Sequence, residues 1–509
     1  MTHLDWGVLV FYFIFTIGLG VVIGKKTTNT ADFFSGGRDF KWWAIGLSVM
    51  ATQISAITFI GAPGWAYEQG LKPLVLNLNI PLVMYVLSGT FIPFFYSLEI
   101  VSIYEYIEKR FGKKMRLIMV FVYIVKMLVV IGSIVYLPSL ILSKITGLSL
   151  NYTISLIVIV SIFYTVLGGI QSVIWTDVFQ MFALWIGVVI SVITVFEKTP
   201  HTIPEIFDIA RQSGKLSTFD WSMNFREPNT FWAGLFGGGI LHIAYFGVDQ
   251  TQVQRVLTAK SLDNTKYSLW FSGVFSVIQM FLFLLVGIVL FVFYKGVPFQ
   301  NANEVYIKFA LEEIPKGYLG VIIAAVFAAT MSSIDSSLNS MTTVFMKDIY
   351  DTYLKKSVKN ISDINMTRIA TSIFGMLIGY FAFNVSASNN SILEVISQYG
   401  SYLLGAMLAV FTLGLFSSKT NEKSVIFGFL IGIIGTAFIS HMFNIFWMWN
   451  NLVGFLITCF IGYTFSFSDS NYRKSVEKFM MKKTYFDKKS VLLIVYFILL
   501  IILLYFLDI

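Results

Sequence analysis

Fourteen apolar stretches recur along the chain, each about as long as a helix needs to cross a bilayer. They lie near 6–24, 42–67, 72–97, 117–144, 149–168, 175–197, 231–254, 268–294, 318–346, 365–387, 392–417, 422–444, 446–467 and 490–508. Little more than Trp449-Asn450-Asn451 separates 422–444 from 446–467. A single soluble core stops growing at about 250–300 residues, and this chain has 509. Only 13% of the residues are charged, where soluble proteins average about 25%. That is too little to cover a water-facing surface. A soluble enzyme, a nucleic-acid binder and a disordered scaffold are excluded. The pattern predicts an all-α polytopic membrane protein of about fourteen transmembrane helices, with lipid as its main surface partner.

The net charge of +8 has an ordinary origin in such a chain, because Lys and Arg concentrate in cytoplasmic loops. With the N-terminus outside, the inner segments (25–41, 98–116, 255–267, 347–368, 418–423 and 468–489) hold 26 Lys and Arg, and the outer segments hold 9. Lys126 falls inside a span. An even span number puts both ends outside a multi-pass cell-membrane protein. The first stretch lacks a basic leader, and Lys25-Lys26 follow it directly, so it is expected to stay as a span rather than be cleaved. The longest loop, 198–230, is too short for a domain, and no soluble domain is expected. Ser102–Phe111 reads as an amphipathic helix on the cytoplasmic face. The one cysteine, Cys459, permits neither an internal disulfide nor a cysteine metal site.

Lipid cannot satisfy an irregular backbone, so a broken membrane helix marks a place that lines a cavity. Two stretches read as broken. The second runs Ala51-Thr52-Gln53-Ile54-Ser55-Ala56-Ile57-Thr58-Phe59-Ile60-Gly61-Ala62-Pro63-Gly64, with recurrent polar residues and a proline. The seventh carries Gly234, Gly237, Gly238 and Gly239, a poor helix interior. The two are five spans apart and therefore cross in opposite directions. Interrupted helices at matching positions of two inverted halves point to the binding site of a secondary transporter. The alternative for the glycines is close helix packing, as at Gly428 and Gly432.

The ninth stretch adds a polar stripe from Ala329 to Ser340. Ser332, Ser333 and Ser336 share a helix face with Ala329. A hard cation prefers oxygen ligands. Hydroxyls from this helix and carbonyls freed by a broken one would form such a cage. Back-bonding of serines to their own helix accounts for one or two of them, and less well for five serines, an Asp and an Asn in nine residues. Asp335 is an ionisable group inside the membrane and a functional candidate on that ground. Asp177 is either a functional acid or a helix-start acid favoured by the dipole. Lys126 either snorkels or meets a substrate anion. His242 reads as a packing histidine, and His441 as one at an outer membrane edge.

These residues carry a resemblance. Asp32-Phe33-Phe34-Ser35-Gly36-Gly37-Arg38, Tyr104–Gly112, Gly168-Gly169-Ile170 with Trp175-Thr176-Asp177, Asp249-Gln250 with Gln254-Arg255, and the Ser332–Asn339 run stand in order. From about residue 5 to beyond 420 the chain resembles the sodium/solute symporter family of sodium/galactose, sodium/proline, pantothenate and sialic acid transporters. The resemblance implies a LeuT-type core of two inverted five-helix repeats. The first repeat is 42–197 and the second 231–417. Segment 1–41 is then a flanking helix and cytoplasmic loop, 198–230 an extracellular loop, and 418–509 the C-terminal flanking helices. It also implies a co-transported sodium held by the carbonyls of Ala51, Ile54 and Ala329 and the hydroxyls of Ser332 and Ser333.

Some members look to have a second sodium, which maps onto Asp177, Ser332, Asp335 and Ser336. Those members carry a hydroxyl where this chain has Asp335. Two close carboxylates either bind the ion more tightly or hold a proton, since adjacent like charges oppose each other. For the solute, similarity to the sialic acid branch points to Ser55 and Thr58, with Gln53 and Asn77. Tyr245 matches a gate aromatic, with Phe246 beside it. Lys126 and His242 complete the candidates. The sialic acid branch uses an Arg on the third core helix, and 117–144 has none. The galactose-type lysine is also missing from 268–294.

The expected function is sodium-coupled symport, by alternating access, of a small polar solute. A sugar or a sugar acid such as sialic acid leads; a small carboxylate, amino acid or polyol is the alternative. A solute sensor with a transporter fold is the rival from another class. No nucleophile–base set is visible, so enzymatic activity is not expected. The expected partners are the solute, sodium ions and the bilayer, with no nucleic acid, and the chain is expected to be monomeric or weakly associated.

Overall fold

The computed structural model describes residues 1–25, 27–356, 361–386, 392–467 and 470–508. Lys26 and Lys359, both counted among the inner charges, and residue 387 of the tenth stretch lie outside these. The described residues are helical apart from turns, loops and one isolated bridge, Phe40 with Ala259. The first helix, α1 (His3–Gly24), starts on a Thr2–Asp5 capping box. The second stretch divides into α2 (Trp42–Gln53) and α3 (Ala56–Gln69), which meet at 65°. Stretch 72–97 is a series of short helices.

Beyond it come α4 (Lys113–Thr146), α5 (Leu150–Lys198), α6 (Gly239–Val248), α7 (Gln250–Val256), α8 (Leu262–Phe293) and α9 (Tyr318–Val344). The chain closes with α10 (Asp363–Ser386), α11 (Ile392–Phe416), α12 (Glu422–Phe443), α13 (Trp449–Thr464) and α14 (Val491–Asp508). The Ser102–Phe111 segment forms a helix from Ile103, capped by Ser102 and Glu105.

Among the described residues, nine helices are long and apolar enough to cross a bilayer, ten if the bent pair counts as one. Fourteen stretches were expected, and the difference has identifiable causes. The seventh stretch is short because α6 ends at Val248. The eleventh counts only over Gly400–Phe416, and the thirteenth, α13, has only 16 residues. The fifth and sixth are continuous in α5, interrupted at one residue, Gly169 (φ 55°, ψ −149°).

The chain nevertheless reverses at Gly169. The Tyr164 hydroxyl donates to Asp335 Oδ2 at 2.8 Å, and the Thr176 hydroxyl reaches the same oxygen at 3.4 Å. A straight helix would set residues 164 and 176 about 18 Å apart. Both arms also run beside α1, since Gly20 meets Tyr164 while Tyr12 stacks on Phe179. A β-carbon at Gly169 would lie 2.5 Å from the Phe33 carbonyl oxygen, so the corner needs glycine for space as well as for its dihedrals.

The two arms of α5 pack on α9, the most enclosed of the long helices. Along its apolar stretch α9 is 94% buried, against 28% for α1 and 17% for the α14 segment. The hydroxyl-rich helix is thus central, and α1 and α14 present apolar faces outward.

Candidate functional site

Helix α2 stops at Gln53 because the next residues leave helical geometry: Ile54 (φ −93°, ψ 117°) and Ser55 (φ −99°, ψ 167°) are extended. No glycine or proline causes this. Thr52, Ile54, Ile57 and Thr58 are β-branched and stiff at χ1. Pro63 lies inside α3, which runs on through it. The break frees carbonyls, and α9 fills them. The Ser332 hydroxyl donates to Ala51 O at 2.9 Å and approaches Ala329 O at 3.2 Å; the Ser333 hydroxyl also donates to Ala329 O at 3.2 Å. Ser332 thus meets the broken backbone at Ala51 O, and the Ala329 O contacts of Ser332 and Ser333 are back-bonds within α9, so four of the five expected sodium ligands lie together. Ile54 is the residue at the break itself.

The seventh stretch breaks elsewhere than its glycines suggested. Ala233–Gly238 forms one wide π turn that continues into α6, and the interruption falls at Asp249 (φ −92°, ψ 123°). Three of the four glycines, Gly234, Gly237 and Gly238, serve packing. A β-carbon at Gly234 would strike the Val75 carbonyl, and one at Gly237 would lie 2.9 Å from Met448 O. This is the close-packing alternative.

Below the cage lies a fully buried charge cluster. Asp177 Oδ2 accepts from Ser48 Oγ (2.6 Å) and from Arg255 Nη1 (3.1 Å). Arg255 also donates to Ser48 O at 2.7 Å, to Thr251 O at 3.0 Å and to Thr52 Oγ1. Thr52 Oγ1 and Ser336 Oγ are 3.0 Å apart. Asp335 accepts only from uncharged donors: Tyr164, Thr176 and the Ser336 N–H at 2.7 Å. Asp177 Oδ1 is buried with no hydrogen-bond partner among the described residues. Of the expected second-ion set, Ser332 is thus engaged with the first cage, while Ser336, Asp335 and Asp177 border this cluster. Arg255 was counted as an inner-loop charge. It is instead wholly buried in α7 and neutralises Asp177.

A cavity of about 760 Å³ opens beside the break, within the range of small-molecule sites. Gln53, Ser55, Thr58, Asn77, Lys126, His242 and Tyr245 all line it, as do Ile54 and Ser333. Ser276 donates to Gln53 Oε1 at 3.1 Å, His242 Nδ1 lies 2.7 Å from Asn79 Oδ1, and Tyr245 OH reaches Thr52 O at 3.4 Å. Phe246 is not among the lining residues. It is buried, with its ring 4.9 Å from that of Tyr245 and 6.0 Å from that of His242.

Sequence reasoning missed Asp249 and Thr251, which line the cavity where α6 gives way to α7. The motif Asp249-Gln250 was visible, but its partner Lys126, 2.5 Å from Asp249 Oδ2, is 123 positions away. The cavity reaches the surface at exposed Glu68. Away from the cavity lining, Gln254 Nε2 lies 2.9 Å from each of Asn339 Oδ1, Thr343 Oγ1 and Phe34 O, and Arg116 pairs with Asp348, which also accepts from Ser102 Oγ.

Comparison with known proteins agrees with this architecture. The profile described as "Sodium:solute symporter family" matches residues 33–432. The sodium/sialic acid symporter SiaT of Proteus mirabilis (strain HI4320) is 32% identical over 442 residues, covering 85% of this chain and 88% of that protein. A solved structure of a Na+-coupled sialic acid symporter, substrate-bound and outward-open, superposes with a TM-score of 0.83 at 30% identity, covering 91% of this chain and 96% of that one. Mhp1, a nucleobase-cation-symport-1 family transporter in a closed conformation, shares the LeuT-type fold at a TM-score of 0.53 and 12% identity, over 89% of this chain and 99% of its own.

Proposed function

The chain belongs to the sodium:solute symporter family, and from that premise we propose which residues couple its sodium to its solute. It is a multi-pass membrane transporter that performs sodium-coupled symport. The sodium site proposed is the cage of Ala51 O, Ile54 O, Ala329 O, Ser332 Oγ and Ser333 Oγ. The single observation that carries it is the convergence of two hydroxyls and two carbonyls, all buried, at an unwound backbone. Oxygen donors of this kind suit a hard cation.

The buried cluster supports a second cation. Asp177, Asp335 and Arg255 sum to one negative charge when ionised, and Asp177 Oδ1 lacks a partner among the described residues. One monovalent cation, a sodium or a proton, among Asp177, Asp335, Ser332 and Ser336 would close that deficit.

The proposed topology has fourteen spans, both ends outside, with five-helix repeats at 42–197 and 231–417. The cavity opens at Glu68, where Lys215 of the 198–230 segment donates to Glu68 O. With that segment outside, the cavity opens outward. Sodium in the cage joins α2 to α9 and so favours one arrangement of the two. A ligand shifts a conformational equilibrium only through such a difference in affinity. The solute then docks against Gln53, Ser55, Thr58, Asn77 and Tyr245. A polyhydroxylated solute the size of a sugar fits the cavity's volume and its mixed hydroxyl, amide and aromatic lining.

The test is solute uptake as a function of sodium in proteoliposomes bearing Ser332→Ala with Ser333→Ala. The sodium concentration for half-maximal uptake should rise at least about tenfold, since hydrogen-bonding contacts to a charge contribute about 1.5–3 kcal/mol each. An unchanged value would remove these residues from the sodium site. Net flux against a gradient in the unmodified protein separates a carrier from a solute sensor.

A further inference from the structure

Lys126 and Asp249 form a closed ion pair inside the solute cavity. Their Nζ and Oδ2 atoms are 2.5 Å apart, and the side chains are 8% and 3% exposed. Both partners are anchored. Asp249 Oδ1 accepts the Thr251 N–H at 2.9 Å, which caps α7. Lys126 lies 5.6 Å from the centre of the Tyr123 ring, and the Tyr123 hydroxyl is tied to Thr251 Oγ1 (2.9 Å) and Ser340 Oγ (2.7 Å). Among the described lining residues the only other Lys, Arg, Asp or Glu is Glu68, at the exposed mouth, and it is negative. The lining therefore offers no free Lys or Arg charge to an incoming anion.

This arrangement has a consequence for selectivity. A carboxylate solute that takes Lys126 must strand the Asp249 carboxylate, whose side chain is almost fully buried. Leaving one member of a buried pair uncompensated is strongly unfavourable. The exchange merely replaces one carboxylate by another. An uncharged polyhydroxylated solute leaves the pair closed, and a zwitterion replaces both partners at once. We propose that the Lys126–Asp249 pair makes this site select solutes of zero net charge and discriminate against sugar acids. The inference rests on the reading of this cavity as the solute site and deepens it.

The experiment measures the melting temperature of the purified full chain in sodium and in potassium, with solutes matched in all but charge. The pairs are D-galactose with D-galacturonate, and the methyl ester of N-acetylneuraminic acid with N-acetylneuraminate. Bound solute raises the melting temperature by mass action. In sodium, the neutral member of at least one pair should act at a concentration at least about tenfold lower than its anion, a difference of about 1.4 kcal/mol. Asp249→Asn keeps an acceptor for the Thr251 N–H but frees the Lys126 charge. It should shift that ratio at least about tenfold towards the anion, and adding Lys126→Met should abolish the shift.

An anion that binds the unmodified protein as well as its neutral partner overturns the proposal, whether or not the variants fold. So does a panel with no neutral binder, or a ratio unmoved in Asp249→Asn. A failure of sodium alone to stabilise the protein would count instead against the sodium site.

Discussion

At the scale of single residues, Ser332 and Ser333 were legible in the sequence because helical spacing alone sets them on one face with Ala329. The break was legible because the Ala51–Thr58 run makes a poor membrane helix, whereas Ala51 O, the carbonyl that Ser332 meets, followed only from the family resemblance. Lys126 with Asp249 was not legible, since nothing in a linear chain pairs residues from two helices. Arg255 was misread for a related reason. Charge counting assigns it to a loop, yet it is enclosed with Asp177, Ser48 and Thr52. Phe246 was placed at the cavity by adjacency to Tyr245, but neighbours in a helix point about 100° apart.

Two predictions belong at this scale. Arg255→Met should destabilise the protein by about 3–5 kcal/mol, because it leaves Asp177 buried and unpaired; thermal denaturation in detergent would detect it, and an unchanged melting temperature would contradict the pairing. Asp335→Ser should lower the steepness of the sodium dependence of uptake, or abolish a pH dependence if the extra cation is a proton. A sodium and pH dependence identical to the unmodified protein would remove Asp335 from the coupling.

At the scale of elements, the break between α2 and α3 followed from residue type, whereas the break at Asp249 did not. The glycine run looked like the weaker helix, but tight packing against Val75 and Met448 holds it in a helical turn. Tertiary contact overrode local propensity there. The reversal at Gly169 was expected only as a gap between two stretches, and the structure compresses it to one residue. Gly169→Ala should therefore destabilise by more than the about 1–3 kcal/mol of an unfavourable backbone conformation alone, because its β-carbon also meets Phe33. Gly239→Ala is the control: nothing lies within 4 Å of the added carbon, and α6 should tolerate it to within about 0.5 kcal/mol. Comparable losses in both variants would contradict the account of the corner.

At the scale of the whole molecule, membrane character was plain from the spacing of apolar stretches, because lipid imposes a fixed length on anything that crosses it. What the sequence could not convey is how deeply one helix is enclosed by the others. α9 lies at the centre while α1 and α14 lie at the rim, although α14 is the more apolar of the extremes. The energetics also belong here. One sodium falling through 100 mV releases about 2.3 kcal/mol, and a tenfold sodium gradient adds about 1.4 kcal/mol. Together they sustain a neutral solute at a ratio of several hundredfold, and a second sodium squares that limit.

The most direct measurement is accumulation of a labelled solute, chosen from those that stabilise the protein in sodium, by proteoliposomes under an inward sodium gradient. Accumulation well above the external concentration, lost when potassium replaces sodium or when a sodium ionophore collapses the gradient, is the predicted result. Equal accumulation in potassium, or mere equilibration across the membrane in sodium, would contradict it.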